Sequence, residues 1–315
     1  MSDKAEYDKQ TKMEFFRTKI LVIVGQTATG KSDLAVKLAE KFNGEIISAD
    51  SRQIYKGLNI GTGKITLNEM RGIRHHCLDI ADPKDRFTVE QWRKCANEAI
   101  ACLHAENKLP IICGGTGFYI SALIDNTEFP PVPPNDELRR KLNSKSTEEL
   151  QNILKDLDPI RFDNIEKQNP RRLIRAIEIA SGSDKRNIRE GRMPLQMNYS
   201  TLFVGLKIQD DELKMRIRNR LISRIDAGMV EEAKRLHDVG LSYERMDELG
   251  LEYRYLAQFI QGKLDKKQFV ETLSTKIWQY ARRQKTWWKR DSGVHWFAPD
   301  ELLRIESFVA DFLAK

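Results

Sequence analysis

Long apolar runs are missing from this sequence. Among its 315 residues no uninterrupted apolar run is longer than the five residues Ile20–Val24, against the roughly 20 that a membrane-spanning helix needs. Residues 1–18 mix charge with isolated aromatics and hold no continuous apolar stretch of the secretory kind, which predicts a flexible N-terminal tail on a cytoplasmic protein. Cysteine is scarce as well. Cys77, Cys95, Cys102 and Cys113 include no C-x-x-C pair, so neither a zinc ribbon nor a disulfide framework fits. Adjacent His75 and His76 have no second cluster to join, which leaves no metal site of the zinc kind. An excess of one charge is small too: 53 Lys and Arg against 46 Asp and Glu give +7, compatible with a polyanionic partner without requiring one. Internal repeats and low-complexity tracts are absent.

What is present is a folded composition, 40% hydrophobic, enough to build a core. Short apolar runs at Lys19–Val24, Glu45–Ser48, Cys77–Ile80 and Leu109–Cys113 read as buried strands. Between them Lys31–Phe42 and Thr88–Asn107 carry apolar residues at helical spacing. This alternation predicts an α/β fold with a parallel sheet. Four prolines within Phe129–Pro134 then break the pattern, followed by charged helical sequence over Asn135–Ala180 and a polar stretch over Ser181–Ser200. A strand pattern returns at Thr201–Ile208, with helices expected from Asp210 to the end. The expected organisation is a discontinuous core, 19–128 and 200–315, around a helical insertion, 129–199.

Gly25-Gln26-Thr27-Ala28-Thr29-Gly30-Lys31-Ser32 matches G-x-x-x-x-G-K-[ST] between an apolar strand and a helix, where a nucleotide-binding P-loop of the ATP-binding type sits. Backbone amides and the helix N-terminus would cradle phosphate oxygens, Lys31 would reach them, and Ser32 would help hold Mg²⁺. The guanine-reading Asn-Lys-x-Asp motif is absent, so the diphosphate held there need not belong to a nucleotide. Asp50 ends the second strand on the same rim of the sheet. Position alone leaves it divided between a catalytic base and a turn cap. Ser51, Arg52 and Gln53 follow, and an amide such as Gln53 can bond adenine in two places.

Two basic segments stand out. Arg171, Arg172 and Arg175 lie three and four apart, which would group them on one helical face. Lys276–Arg290 holds six basic residues and no acid, interleaved with Trp278, Tyr280, Trp287 and Trp288, a mixture suited to phosphates and unpaired bases. Leu273, Ile277, Tyr280, Gln284 and Trp288 also trace a helical core face, so most of these aromatics are expected to pack inward. Arg216, Arg220 and Arg224 form a stripe beside apolar Leu213, Ile217 and Leu221.

In order along the chain, the P-loop, Asp50-Ser51-Arg52-Gln53-Ile54-Tyr55 with Ile60-Gly61-Thr62, Gly114-Gly115-Thr116-Gly117-Phe118-Tyr119, Asn169–Glu178 and Arg282–Trp287 resemble the bacterial tRNA dimethylallyltransferases over residues 19 to 297. The resemblance implies a P-loop NTPase-like core with a helical insertion and C-terminal helices. It implies transfer of the dimethylallyl group of dimethylallyl diphosphate to N6 of the adenosine next to the anticodon, position 37, in tRNAs that read codons beginning with U. Asp50 would then be the base, with Thr27 and Arg220 acting on the diphosphate and Mg²⁺ as cofactor. The partner would be the tRNA anticodon stem-loop, contacted by Asp50, Ser51, Arg52 and Gln53, by Thr116 and Arg139, by Arg171, Arg172, Leu173, Ile174 and Arg175, and by Arg282, Arg283, Gln284, Lys285, Thr286, Trp287, Trp288 and Lys289.

This chain departs from the family pattern at Gln26 and Thr29, where Pro and Ser are commoner, and at Ser32 in place of Thr. It also reads Gly250-Leu251-Glu252-Tyr253-Arg254 where Gly-Tyr-Arg is usual. An isopentenyltransferase of free adenine nucleotides, a small-molecule P-loop kinase and a non-catalytic RNA-binding module remain the competing readings.

Overall fold

The computed structural model describes residues 18–127, 129–182 and 199–315. All of the expected tail except Thr18, and most of the polar stretch after Ser181, lie outside them. Two compact units emerge: one from 18–127 with 199–315, the other from 129–182.

The first unit is built on one parallel sheet of six strands, β1 Lys19–Gly25, β2 Gly44–Ser48, β3 His75–His76, β4 Leu109–Cys113, β5 Ser200–Leu206 and β6 Val294–Phe297, in the order β3-β2-β4-β1-β5-β6. Residues of β1 alternate between two cores. Ile20, Val22 and Val24 join the cluster on one face, while Leu21 and Ile23 join the other. That is the period-two pattern of a strand covered on both sides. Helices α1 (Lys31–Lys41) and, at the C-terminal end, α14 (Leu302–Ala314) cover the Leu21 face. The opposite core draws on α3 (Val89–Ala105), α4 (Gly117–Ile124), α9 (Asp210–Asp226), α10 (Met229–Asp238), α11 (Tyr243–Leu249), α12 (Leu251–Ile260) and α13 (Lys266–Trp288). A short α2 (Leu67–Met70) is set by the capping box of Thr66 and Glu69.

Two expectations about the strands are corrected. The strand over Cys77–Ile80 is replaced by His75–His76, because Cys77 and Asp79 take φ of 60° and 52°, a left-handed backbone that cannot continue a ladder. The amides of Asp79, Ile80 and Ala81 turn instead to the carbonyls of Gln53 and Ile54. The region after Asp210 is not helical throughout: β6 adds a sixth strand, with Val294 and Phe297 buried against β5.

The second unit is helical, with α5 (Asp136–Asn143), α6 (Thr147–Leu157), α7 (Pro159–Asp163) and α8 (Pro170–Gly182) around Leu142, Leu150, Leu154, Leu173, Ala176 and Ile177. No described helix is long and apolar enough to cross a membrane.

Candidate active site

The phosphate loop turns at Gly25, whose φ of 139° and close approach to the Leu206 carbonyl, 2.5 Å from where a Cβ would stand, both require glycine. Thr29 is fully buried and its hydroxyl donates to the Gln26 carbonyl at 2.8 Å. Lys31 Nζ donates to the same carbonyl. Gly30 caps α1 without a side-chain hydrogen bond, so the first-turn amides remain available to an anion. Burial lowers the Lys31 pKa to about 8, with the positive charge of Arg220 acting the same way and Asp50 opposing.

Asp50 stands half-buried at the end of β2. Its Oδ1 accepts from the amides of Arg52 at 2.8 Å and Gln53 at 3.3 Å, an Asx turn that fixes the carboxylate. No hydrogen bond to Oδ2 is found among the described residues. The two readings of Asp50 are therefore compatible: one oxygen caps the turn and the other is left to act. Thr116 holds the neighbouring chain, accepting from the Ser51 amide at 3.2 Å and donating its own amide to the Ala49 carbonyl at 3.2 Å. Tyr280 hydrogen-bonds Thr116, and burial raises its phenol well above the usual range, keeping it neutral.

Gln284, 5% exposed on α13, ties these pieces together. Its Oε1 accepts from the Thr27 amide at 2.8 Å, and its Nε2 donates to the Gly115 carbonyl at 2.9 Å. A Cβ on Gly115 would lie 2.0 Å from that Nε2, which is why glycine stands there. Gln26 adds a second link, donating its amide to the Ala281 carbonyl at 3.2 Å.

A third loop, residues 59–63, completes the site. Buried Glu232 accepts from the amides of Asn59, Ile60 and Gly61 at 3.1, 2.8 and 2.8 Å, and from the Tyr253 hydroxyl at 2.7 Å. On the carbonyl side Arg224 donates to Ile60 at 2.7 Å and to Gly61, while Arg220 donates to Gly63 at 3.0 Å and Gln53 Nε2 reaches the same oxygen at 3.4 Å. The arginine stripe is therefore differentiated. Arg216 pairs with Glu212 at 2.6 Å and Arg224 with Glu252 at 3.5 Å, whereas Arg220 has no carboxylate partner among the described residues. Burial raises the Glu252 carboxyl above the usual carboxylate range, with Arg224 opposing. Sequence reasoning passed over Glu232, Arg224 and Tyr253 as site residues. Glu232 and Arg224 bind residues 59–61, far upstream, and only the Arg224 spacing offered a signal.

The expected RNA contacts separate by exposure. Arg282, Arg283, Thr286 and Lys289 are exposed on α13 or at its end, Trp287 is 38% exposed, and Lys285 is held by Asp210 at 2.7 Å. Trp288, like Gln284, is buried, with Phe203 at a ring distance of 6.1 Å. In the helical unit Leu173 and Ile174 are core residues. Arg171, Arg172 and Arg175 all lie on α8: Arg171 is exposed, Arg172 pairs with Glu166 at 2.8 Å, and Arg175 pairs with buried Glu178. Arg139 takes the same Glu178 at 2.8 Å. A cavity of about 800 Å³ opens beside Gln26, lined in part by Lys207, Arg216, Lys285, Lys289 and Trp296, but Asp50 is not on its wall. His76 is a partner of Glu45 at 2.7 Å, and no group of three metal-ligating side chains occurs among the described residues.

A phosphate-loop motif and the Asp50 carboxylate on the C-terminal rim of one parallel sheet define a P-loop-like α/β fold. The family model described as IPP transferase matches residues 53–291. This chain belongs to the IPP transferase family. It is 39% identical over 285 residues to the tRNA dimethylallyltransferase 1 of Geotalea uraniireducens, covering 89% of this chain and 93% of that one. With the tRNA dimethylallyltransferase 2 of Treponema denticola it shares 42% over 275 residues, covering 86% and 91%. Among solved structures, the tRNA isopentenylpyrophosphate transferase of Bacillus halodurans superposes with a TM-score of 0.71 at 32% identity, covering 94% and 97%. A eukaryotic dimethylallyltransferase acting on tRNA gives 0.79 at 25%, covering 94% and 80%.

Proposed function

We propose that this enzyme transfers the dimethylallyl group of dimethylallyl diphosphate to N6 of adenosine 37, next to the anticodon, in tRNAs reading codons that begin with U, releasing diphosphate. The observation that carries the reading is the bridge of Gln284, which joins the phosphate loop at Thr27 to the Gly115–Thr116 turn beside Asp50. A diphosphate and a nucleophile can thereby be held at one place by groups that do not move independently.

The adenine amine is a weak nucleophile because its lone pair is delocalised into the ring. As the N6–C1 bond forms and the allylic C1–O bond breaks, Asp50 Oδ2 takes the N6 proton, a role worth about 10²–10⁴ in rate. The amides of the phosphate loop, Lys31 and Arg220 receive the charge that develops on the leaving diphosphate. Thr27 is positioned by Gln284 within that loop. Ser32, exposed in the first turn of α1, would offer its hydroxyl to Mg²⁺. When bound, the ion neutralises diphosphate charge.

The target base must leave its stack, at a cost of a few kcal/mol. RNA contacts offset it, and exposed Arg282, Arg283, Thr286, Trp287 and Lys289, with Arg52, Gln53, Arg171 and Arg172, supply them in this reading. The enzyme works as a monomer in the cytoplasm, where its tRNA is. Incubation with Mg²⁺, labelled dimethylallyl diphosphate and either unmodified tRNA or AMP tests the assignment. Label is expected in the tRNA alone, and label in AMP alone, or in neither, contradicts it.

A further inference from the structure

Two cysteines outside the site lie side by side. Cys77 is buried in the turn after β3, and Cys95 is half-buried on α3. The Cys77 thiol donates to Cys95 Sγ at 3.0 Å, so closing to a disulfide bond of about 2.05 Å needs an approach of only ~1 Å. The other two cysteines are placed differently: Cys102 is exposed beside Glu106, and Cys113 is buried at the end of β4. The Cys77 turn is also wired to the catalytic rim. Amides of Asp79, Ile80 and Ala81 donate to the carbonyls of Gln53 and Ile54, and buried Lys64 joins Asp79 to the Tyr55 carbonyl.

We infer that Cys77 and Cys95 are a modification site, closed to an intramolecular disulfide by a hydroperoxide and reopened by a dithiol, that fastens the turn behind the Asp50 loop to α3. The hydrogen bond from Cys77 lowers the Cys95 pKa to about 7, making it the thiolate, and pushes Cys77 up. The Cys95 thiolate attacks one peroxide oxygen. The O–O bond breaks, and the departing hydroxide takes a proton to become water, leaving a sulfenic acid. The Cys77 sulfur, giving up its proton, then attacks the Cys95 sulfur, forming the S–S bond and releasing the second water. Two thiols lose two electrons, and one hydrogen peroxide becomes two waters.

The test uses the full chain carrying Cys102→Ser, treated with hydrogen peroxide and mapped by mass spectrometry without reduction. The expected result is a Cys77–Cys95 linked peptide with Cys113 still a thiol. Prenyl transfer to tRNA is expected to fall by at least about threefold, since small misplacements near a catalytic group are costly, and to return with dithiothreitol. Cys77→Ser in the same background is expected to keep its turnover. Absence of the linked peptide overturns the proposal, as does a bridged protein with unchanged turnover. The turnover readout rests on the prenyl-transfer reading, whereas the peptide map does not. A reduced protein that transfers no dimethylallyl group to tRNA counts against that reading, and the map still decides the site.

Discussion

The side chain of Gln284 accepts a hydrogen bond from the backbone amide of Thr27 at 2.8 Å, so a residue of α13 sets the shape of a loop 257 positions away. Gln284→Ala removes that bond and the one to Gly115 together. Each buried group left unpaired costs about 1–3 kcal/mol. Dimethylallyl diphosphate KM is expected to rise about tenfold, with tRNA affinity within twofold. Steady-state kinetics with each substrate varied separately checks this. A change confined to the tRNA KM would mean that Gln284 serves the RNA and not the loop.

The three arginines of α9 should behave differently although they share a spacing. Arg220→Ala removes the one arginine of the stripe without a carboxylate partner among the described residues and is expected to raise the dimethylallyl diphosphate KM by at least about tenfold, the scale of a lost charge-assisted hydrogen bond. Arg216, paired with Glu212, should tolerate alanine within about twofold, as exposed pairs generally do. Calorimetry with inorganic diphosphate gives the same comparison without turnover.

Arg172→Ala and Arg283→Ala should weaken tRNA binding while leaving dimethylallyl diphosphate affinity intact. Each lost phosphate contact lowers the salt dependence of log K by about 0.7. Filter binding across a salt series measures the slope. An unchanged slope would assign that arginine to solvent.

Glu178 gives the helical unit an acid-sensitive point. Burial pushes its carboxyl up, but hydrogen bonds from Arg139, the Asn135 amide and Arg175 outweigh this and hold it below the usual range. Because the folded pKa is the lower one, its stabilisation is complete above the unfolded value near 4.5 and is lost as pH falls through the folded value. Amide protection factors in residues 136–182, corrected for the intrinsic slowing of exchange in acid, should therefore fall at acid pH. Glu178→Gln should remove much of that dependence while costing about 2 kcal/mol at neutral pH, since it leaves two arginines short of their carboxylate.

The parts of this molecule legible in the sequence are those whose causes are local. The phosphate loop is a contiguous run between a strand and a helix, and the buried strands alternate their residues between two cores. Asp50 was readable as a rim carboxylate, and its Asx turn is closed by the next three residues. Glu232 was not readable: its four hydrogen bonds reach residues 59–61 and Tyr253, and nothing beside it in the chain records them. β6 escaped because Val-His-Trp-Phe buries its first and last residues without clean alternation. The pairing of Arg175 was not readable either, because the Glu178 that holds it reads, in sequence, as one more charge on a helix.

The most direct test of the account is single-turnover transfer by Asp50→Asn with saturating dimethylallyl diphosphate and an unmodified anticodon stem-loop, alongside the stem-loop Kd. Asparagine preserves the carbonyl that caps the turn but cannot take the N6 proton. The predicted result is a rate lowered by about 10²–10⁴ with Kd within about threefold of the parent enzyme. A parental transfer rate would contradict the assignment of Asp50 as the base.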